Sequence, residues 1–171
     1  DAVVYAPGAS ALARFSDAHA GLCQDVVATN LVGAALVARA AIEHLEASDG
    51  RLVLLGSSAV GRPYPGLVPY AAAKAGVHEL ARGLRAEYPW LRVTIFVVGP
   101  TITGFADGWD PTVATEMFER WAAEGYPCTL ASTPEETAAE IVHLLATTAF
   151  VTEAAVMPRS PAPGSTESFS P

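Results

Sequence analysis

Two strongly apolar runs, the first of them unbroken, constrain the fold of this chain more than any other feature. Arg51-Leu52-Val53-Leu54-Leu55 is apolar at every position after its first, and Leu91–Val98 carries Val93, Ile95, Phe96, Val97 and Val98. A strand with one face in water alternates apolar and polar residues. Unbroken apolarity marks a strand covered on both faces, as in a parallel sheet. Each run ends on glycine, at Gly56 and Gly99. A third short run, Ala2–Ala6, ends in Pro7-Gly8, and Val151–Met157 reads as a last strand.

The segments between these strands read as helices. In Leu22–Ala47, Val26, Val27, Leu31, Ala34, Ala35, Ala38, Ala41, Ile42 and Leu45 recur at about helical spacing. Asn30 and Gly33 interrupt that pattern, and both are poor helix formers. A mid-helix Asn among apolar residues must satisfy its side chain, through a kink or an inter-helix hydrogen bond. Tyr70–Glu87 is an Ala-rich helix closed by Tyr88-Pro89. Pro111–Gly125 carries Met117, Phe118 and Trp121 and reads as an insertion over the strand ends. Thr133-Pro134-Glu135-Glu136 has a capping residue, proline at the first helical position and acids at the positive end of the dipole, so a helix starts there and runs to about Ala146. Strands alternating with helices predict an α/β fold with a parallel sheet. Residues 1–157 read as part of one such domain, and the Pro/Ser-rich residues 158–171 read as a disordered tail.

Charge and composition narrow the partners. The net charge is −8, and residues 106–171 hold ten acids against Arg120 and Arg159. No basic stripe is present, so nucleic acid is not an expected partner. The apolar stretches are interrupted by Arg, Glu or His short of the roughly 20 residues of a membrane span, so no membrane partner is expected either. Cys23 and Cys128 follow no pairing pattern and read as reduced thiols of a cytoplasmic protein. His19, His44, His78 and His143 lack ligand spacing, and no metal site is expected.

Chemistry gathers at the strand ends. In open α/β sheets, ligands bind beyond the C-terminal ends of the strands. Ser57 and Ser58 follow the second strand, and Tyr70 opens the next helix with Lys74 four residues on, on the same helix face. Lys74 is the only lysine in the chain; the other nine bases are arginine. A tyrosine with a pKa of about 10 is a poor base near neutrality. A neighbouring ammonium favours its phenolate and lowers that pKa. Such a tyrosine can give or take a proton at a substrate oxygen, and a serine hydroxyl can hold the same oxygen. Hydride must come from a carrier, because side chains cannot supply it.

These segments resemble the single-domain branch of the short-chain dehydrogenase/reductase superfamily. Tyr70-Ala71-Ala72-Ala73-Lys74 matches its YxxxK signature, and Gly50–Ser57 matches the strand with its catalytic serine. Asn30-Leu31-Val32-Gly33 matches NxxG, and Val98–Thr103 matches the PGxxxT segment with Val in place of Pro. The resemblance implies a Rossmann-like, doubly wound, three-layer α/β/α sheet. It implies interconversion of a small-molecule carbonyl and alcohol with NAD or NADP. Carried over residue by residue, Tyr70 is the acid/base, and Lys74 binds the nicotinamide ribose and lowers the Tyr70 pKa. Ser57 orients the carbonyl, ahead of Ser58 because it lies thirteen residues before Tyr70 and follows Gly56. Asn30 holds a relay water through its main chain. Thr101 and Thr103 contact the nicotinamide and pyrophosphate. The resemblance also implies a homodimer or homotetramer built on the two long helices, and a substrate lid at Trp109, Met117, Phe118 and Trp121, hence an apolar substrate pocket.

Two departures matter. The family's NNAG is here Tyr5-Ala6-Pro7-Gly8, which leaves Gly8 as the one matching cofactor-side residue. The glycine-rich TGxxxGxG loop has no counterpart in these 171 residues. The expectation is therefore a C-terminal piece of the domain, incomplete in its N-terminal half, that binds nicotinamide cofactor weakly or not at all by itself. The alternatives are a non-catalytic NAD(P)-binding or regulatory protein on the same fold, and an inactive truncated fragment. A serine hydrolase fits poorly, because Gly56-Ser57-Ser58-Ala59-Val60 has Val where a nucleophile elbow needs Gly.

Overall fold

A computed structural model describes residues 1–127 and 130–159. Cys128 and all of the 158–171 tail except Pro158 and Arg159 lie outside the described residues. Four parallel strands, β1 (Ala2–Tyr5), β2 (Arg51–Ser57), β3 (Arg92–Val98) and β4 (Glu153–Val156), lie side by side in chain order. The helices are α1 (Ala20–Val27), α2 (Gly33–Ala47), α3 (Val68–Glu87), α4 (Pro111–Ala123) and α5 (Pro134–Ala146).

Period-2 alternation along the apolar runs sends their side chains to two cores. Leu52 and Leu54 of β2 and Val93, Ile95 and Val97 of β3 pack with Ala34, Ala38, Ala41 and Leu45 of α2 and Val77 and Ala81 of α3. Val53 and Phe96 face the opposite way and pack with Leu144 of α5. The sheet is thus covered on both sides, which is the condition that unbroken apolarity anticipates. The small residues Ala34 and Ala81, each wholly buried, let their helices approach the sheet closely.

Helix termini follow the local chemistry. Thr133 Oγ1 accepts from Glu136 N at 3.2 Å while Glu136 Oε2 accepts from Thr133 N at 2.8 Å, a reciprocal cap for α5. Asp110 Oδ1 accepts from the Thr112 and Val113 amides at the start of α4. The α3 helix begins at Val68, two residues before Tyr70, because Pro69 fits the first turn, where a missing N–H costs nothing.

The long first helix is not uniform. Between α1 and α2, residues Ala28–Val32 form a π-helical turn, in which the Gly33 amide reaches back five residues to the Ala28 carbonyl. The run Ala20–Ala47 is therefore one continuous helical rod, long and apolar enough to cross a membrane by length and composition. That corrects the reading that every apolar stretch falls short of such a span. Its inner face, with Val26, Asn30, Ala34, Ala38, Ala41 and Leu45, is buried in the protein.

Candidate active site

The register of β2 against β3 places Ser57 beside Val98, and the Ser58 amide donates to the Val98 carbonyl at 3.0 Å. The C-terminal ends of both central strands therefore lie at one edge. Ser57 is buried, and its Oγ accepts from the Ala59 amide at 3.1 Å, which fixes the turn that leaves the sheet. From this edge the loop over 58–67 leads into α3, which carries Tyr70 in its first turn and Lys74 one turn later.

Ser57 acts on Tyr70 in the direction that lowers its pKa. Lys74 is buried, and its Nζ donates to the Leu55 carbonyl of β2 at 2.8 Å and lies 5.9 Å from the centre of the Tyr70 ring. The electrostatics differ from the simple expectation for such a pair. Burial pushes the Tyr70 pKa up, and Ser57 offsets this only in part. Burial also lowers the Lys74 pKa, to about 8. The ammonium is aimed at a backbone carbonyl rather than at the phenol oxygen. In this arrangement desolvation outweighs charge, and the i, i+4 spacing does not by itself lower the tyrosine pKa.

Asn30 is wholly buried within the π turn. Its Nδ2 donates to the Val26 carbonyl at 2.8 Å and to the Ala9 carbonyl at 2.7 Å. Tyr5 donates its hydroxyl to the Thr29 carbonyl at 2.6 Å. A π turn displaces carbonyls from their usual helical partners, and these two side chains take up what it frees. Tyr5, which stands where the family has an asparagine, thus supports the turn that holds Asn30. Gly76 of α3 packs against Leu31, where an added Cβ would meet Leu31 Cδ2 at 2.8 Å, so the π turn sits against the helix that bears Lys74.

The remaining predicted residues lie at the rim. Gly8 faces Asn30: a Cβ there would be 3.6 Å from Asn30 Oδ1, a buried acceptor without a hydrogen-bond partner. Thr101 pairs with Ser132 in a β-bridge, and its Oγ1 donates to the Gly99 carbonyl at 3.1 Å. Thr103 caps a short 3₁₀ turn, accepting from Phe105 N at 3.3 Å. Both threonines are engaged locally, and the link from their segment to Tyr70 is Phe105, whose ring meets the Tyr70 ring edge-on at 4.9 Å.

Three positions escaped the sequence reading. Phe105 and Ser10 were hidden in loops. His78, read as scattered, is buried at the turn after Lys74. Its Nε2 has no hydrogen-bond partner, and burial lowers its pKa while Glu153, 3.9 Å from Nδ1, works the other way. Gly56 is pressed against it: a Cβ would be 2.6 Å from His78 Nε2 and 2.9 Å from Ile95 Cγ2. A Gly56→Ala variant is expected to lose about 1–3 kcal/mol of stability by overpacking, read as a lower midpoint in urea. An unchanged midpoint would show that His78 can yield.

A short chain dehydrogenase family model matches residues 1–116. The 3-oxoacyl-[acyl-carrier-protein] reductase MabA of Mycobacterium tuberculosis is 30% identical over 136 residues, covering 79% of this chain and 54% of that protein. The 2-(S)-hydroxypropyl-CoM dehydrogenase 3 of Xanthobacter autotrophicus is 32% identical over 154 residues, covering 86% of this chain and 60% of that one. The chain thus spans little more than half the length of these relatives. Among solved structures, an alcohol dehydrogenase from the archaeon Thermococcus sibiricus, complexed with 5-hydroxy-NADP, superposes with a TM-score of 0.77 at 20% identity, over 95% of this chain and 65% of that one.

Proposed function

This chain belongs to the short-chain dehydrogenase family, and from that premise we propose that it carries the catalytic half of an NAD(P)-dependent oxidoreductase that interconverts a carbonyl and an alcohol. The observation that carries this reading is the convergence of Ser57, Tyr70 and Lys74 at the C-terminal edge of a parallel sheet.

A carbonyl oxygen lying between the Ser57 and Tyr70 hydroxyls accepts from both. Tyr70 gives its proton to that oxygen during reduction and takes it back during oxidation. Its raised pKa suits the donor role. Lys74, close to the ring, stabilises the phenolate that proton donation leaves behind.

The residues present fit a nicotinamide cofactor. Lys74 has three N–H groups and one protein acceptor, the Leu55 carbonyl, so two donors remain for ribose hydroxyls. The Thr103 hydroxyl accepts from Phe105 N and keeps its own proton free to donate, and the Thr101 hydroxyl keeps lone pairs free to accept. Gly8 lies against the unpartnered Asn30 Oδ1, 3.6 Å from where a Cβ would stand. When bound, the nicotinamide supplies or accepts the hydride. The test is an assay of the natural full-length protein with NADH or NADPH and a panel of ketones, followed by nicotinamide absorbance. Absence of turnover with either cofactor across the panel would overturn the reading.

The same reading includes a homo-oligomer. The outer face of the π turn and α2 leaves Val32 46%, Leu36 56% and Val37 37% exposed, and Val68 at the start of α3 is 41% exposed. Large exposed apolar side chains grouped in this way mark candidate interaction sites. A Leu36→Glu variant is expected to sediment as a smaller species than the parent. Identical sedimentation of the two proteins would argue against this face as the interface.

A further inference from the structure

The segment that follows β3 is tied to the loop that follows β1 through one side chain. Ser10 Oγ donates to the Phe105 carbonyl at 2.6 Å and accepts from Trp109 Nε1 at 3.0 Å. A serine hydroxyl has one proton to give, and here it gives it to the lid segment and receives a second bond from the same segment. Two points four residues apart on the lid segment are thereby fixed to one atom. Around this tie the loop holds further: the Ala13 amide donates to the Gly66 carbonyl at 3.1 Å, Leu12 is buried with Met117, and Arg14 pairs with Glu116 of α4.

The fixed points decide where the Phe105 ring goes. It stands edge-on to Tyr70, with centroids 4.9 Å apart and planes at 70°, and edge-on to Trp109 at 5.7 Å. Trp109 in turn contacts Phe118 at 6.2 Å and Trp121 at 6.1 Å. One flank of Tyr70 is thus occupied by a phenyl ring that the Ser10 hydroxyl holds in place. We propose that Ser10 is a positioning residue, and that through it Phe105 sets which carbonyl compounds reach Tyr70: those with one compact substituent on the Phe105 side. This rests on the oxidoreductase reading above.

The experiment compares phenyl methyl ketone with phenyl isopropyl ketone as substrates of the full-length enzyme. The parent is expected to favour the methyl ketone in kcat/KM. Phe105→Ala should reduce that preference about tenfold, the effect of one or two added carbons in an apolar pocket. Ser10→Ala should shift it in the same direction, and Ser10→Thr, which keeps the hydroxyl, should restore it. Loss of the Ser10 bond should also change tryptophan emission, and that change should vanish in a Trp109→Phe background. If Ser10→Ala does not fold, Phe105→Ala carries the test. An unchanged substrate preference in Ser10→Ala or in Phe105→Ala overturns the proposal. A parent enzyme that reduces neither ketone, with the emission change intact, removes the specificity role and leaves Ser10 a structural tie. Turnover with no emission change overturns the tie itself and leaves the oxidoreductase reading standing.

Discussion

A Tyr70→Phe variant of the full-length protein is expected to lose about a thousandfold in kcat, within the range that a positioned acid or base contributes, while keeping its affinity for cofactor and its melting temperature. The substitution removes one oxygen and leaves the ring. The ring packs in the apolar cluster of Leu12, Leu67, Met117 and Trp121, with Phe105 edge-on at 4.9 Å, and phenylalanine preserves those contacts. Ser57 keeps its bond from the Ala59 amide, so the turn at the end of β2 does not depend on the lost hydroxyl. Burial also disfavours the charged form of Tyr70, so deleting its hydroxyl removes no favourable ionisation from the folded state. The predicted loss is therefore confined to proton transfer. Turnover measured by nicotinamide absorbance, with cofactor affinity from calorimetric titration, separates the outcomes. Turnover close to that of the parent would eliminate Tyr70 as the acid/base. Lost turnover together with a lowered melting temperature would show a packing role instead.

The central strands were legible because burial on both faces leaves a mark that survives without alignment. Leu52 through Leu55 are all apolar and Val93 through Val98 are apolar but for Thr94, and the structure covers them on both sides. The start of α5 was legible too, since its cap is built from residues three apart. The π turn at Ala28–Val32 was not. An i→i+5 bond changes which amide meets which carbonyl, and apolar spacing records side-chain direction rather than hydrogen-bond register. Asn30 stood out as a poor helix former. That it pairs with the Val26 and Ala9 carbonyls depends on a loop twenty-one residues earlier. The same limit hid Ser10, whose partner Phe105 is ninety-five residues away. Proximity of Tyr70 and Lys74 followed from helix geometry, but the balance between charge and desolvation depends on how deeply both are buried, which no spacing encodes.

That balance yields the second large effect, in the pH dependence of the protein without cofactor. Lys74 titrates at about 8 when folded and near 10.5 when exposed. Between those values the unfolded chain binds the proton and the folded chain does not. Stability rises with pH wherever the unfolded state holds more protons, so the Lys74 contribution makes the protein more stable from about pH 8 to 10.5 and less stable below that window. At about 1.4 kcal/mol per pH unit the full difference is about 3 kcal/mol. Tyr70 opposes it only at the top of the window, because its pKa is raised from the ordinary value of 10 and the unfolded chain begins to lose that proton only near there. Urea unfolding at several pH values should show this rise in the parent and not in Lys74→Met, where no ammonium is desolvated. Parallel pH profiles of the two proteins would mean that Lys74 is solvated in solution. Catalysis should run the other way. Carbonyl reduction needs the ammonium, so kcat/KM, which reports the free enzyme, should fall as pH rises through about 8. A Lys74→Arg variant, slower because its planar fork fits the Leu55 carbonyl poorly, should show no such fall, since guanidinium keeps its charge across the whole range.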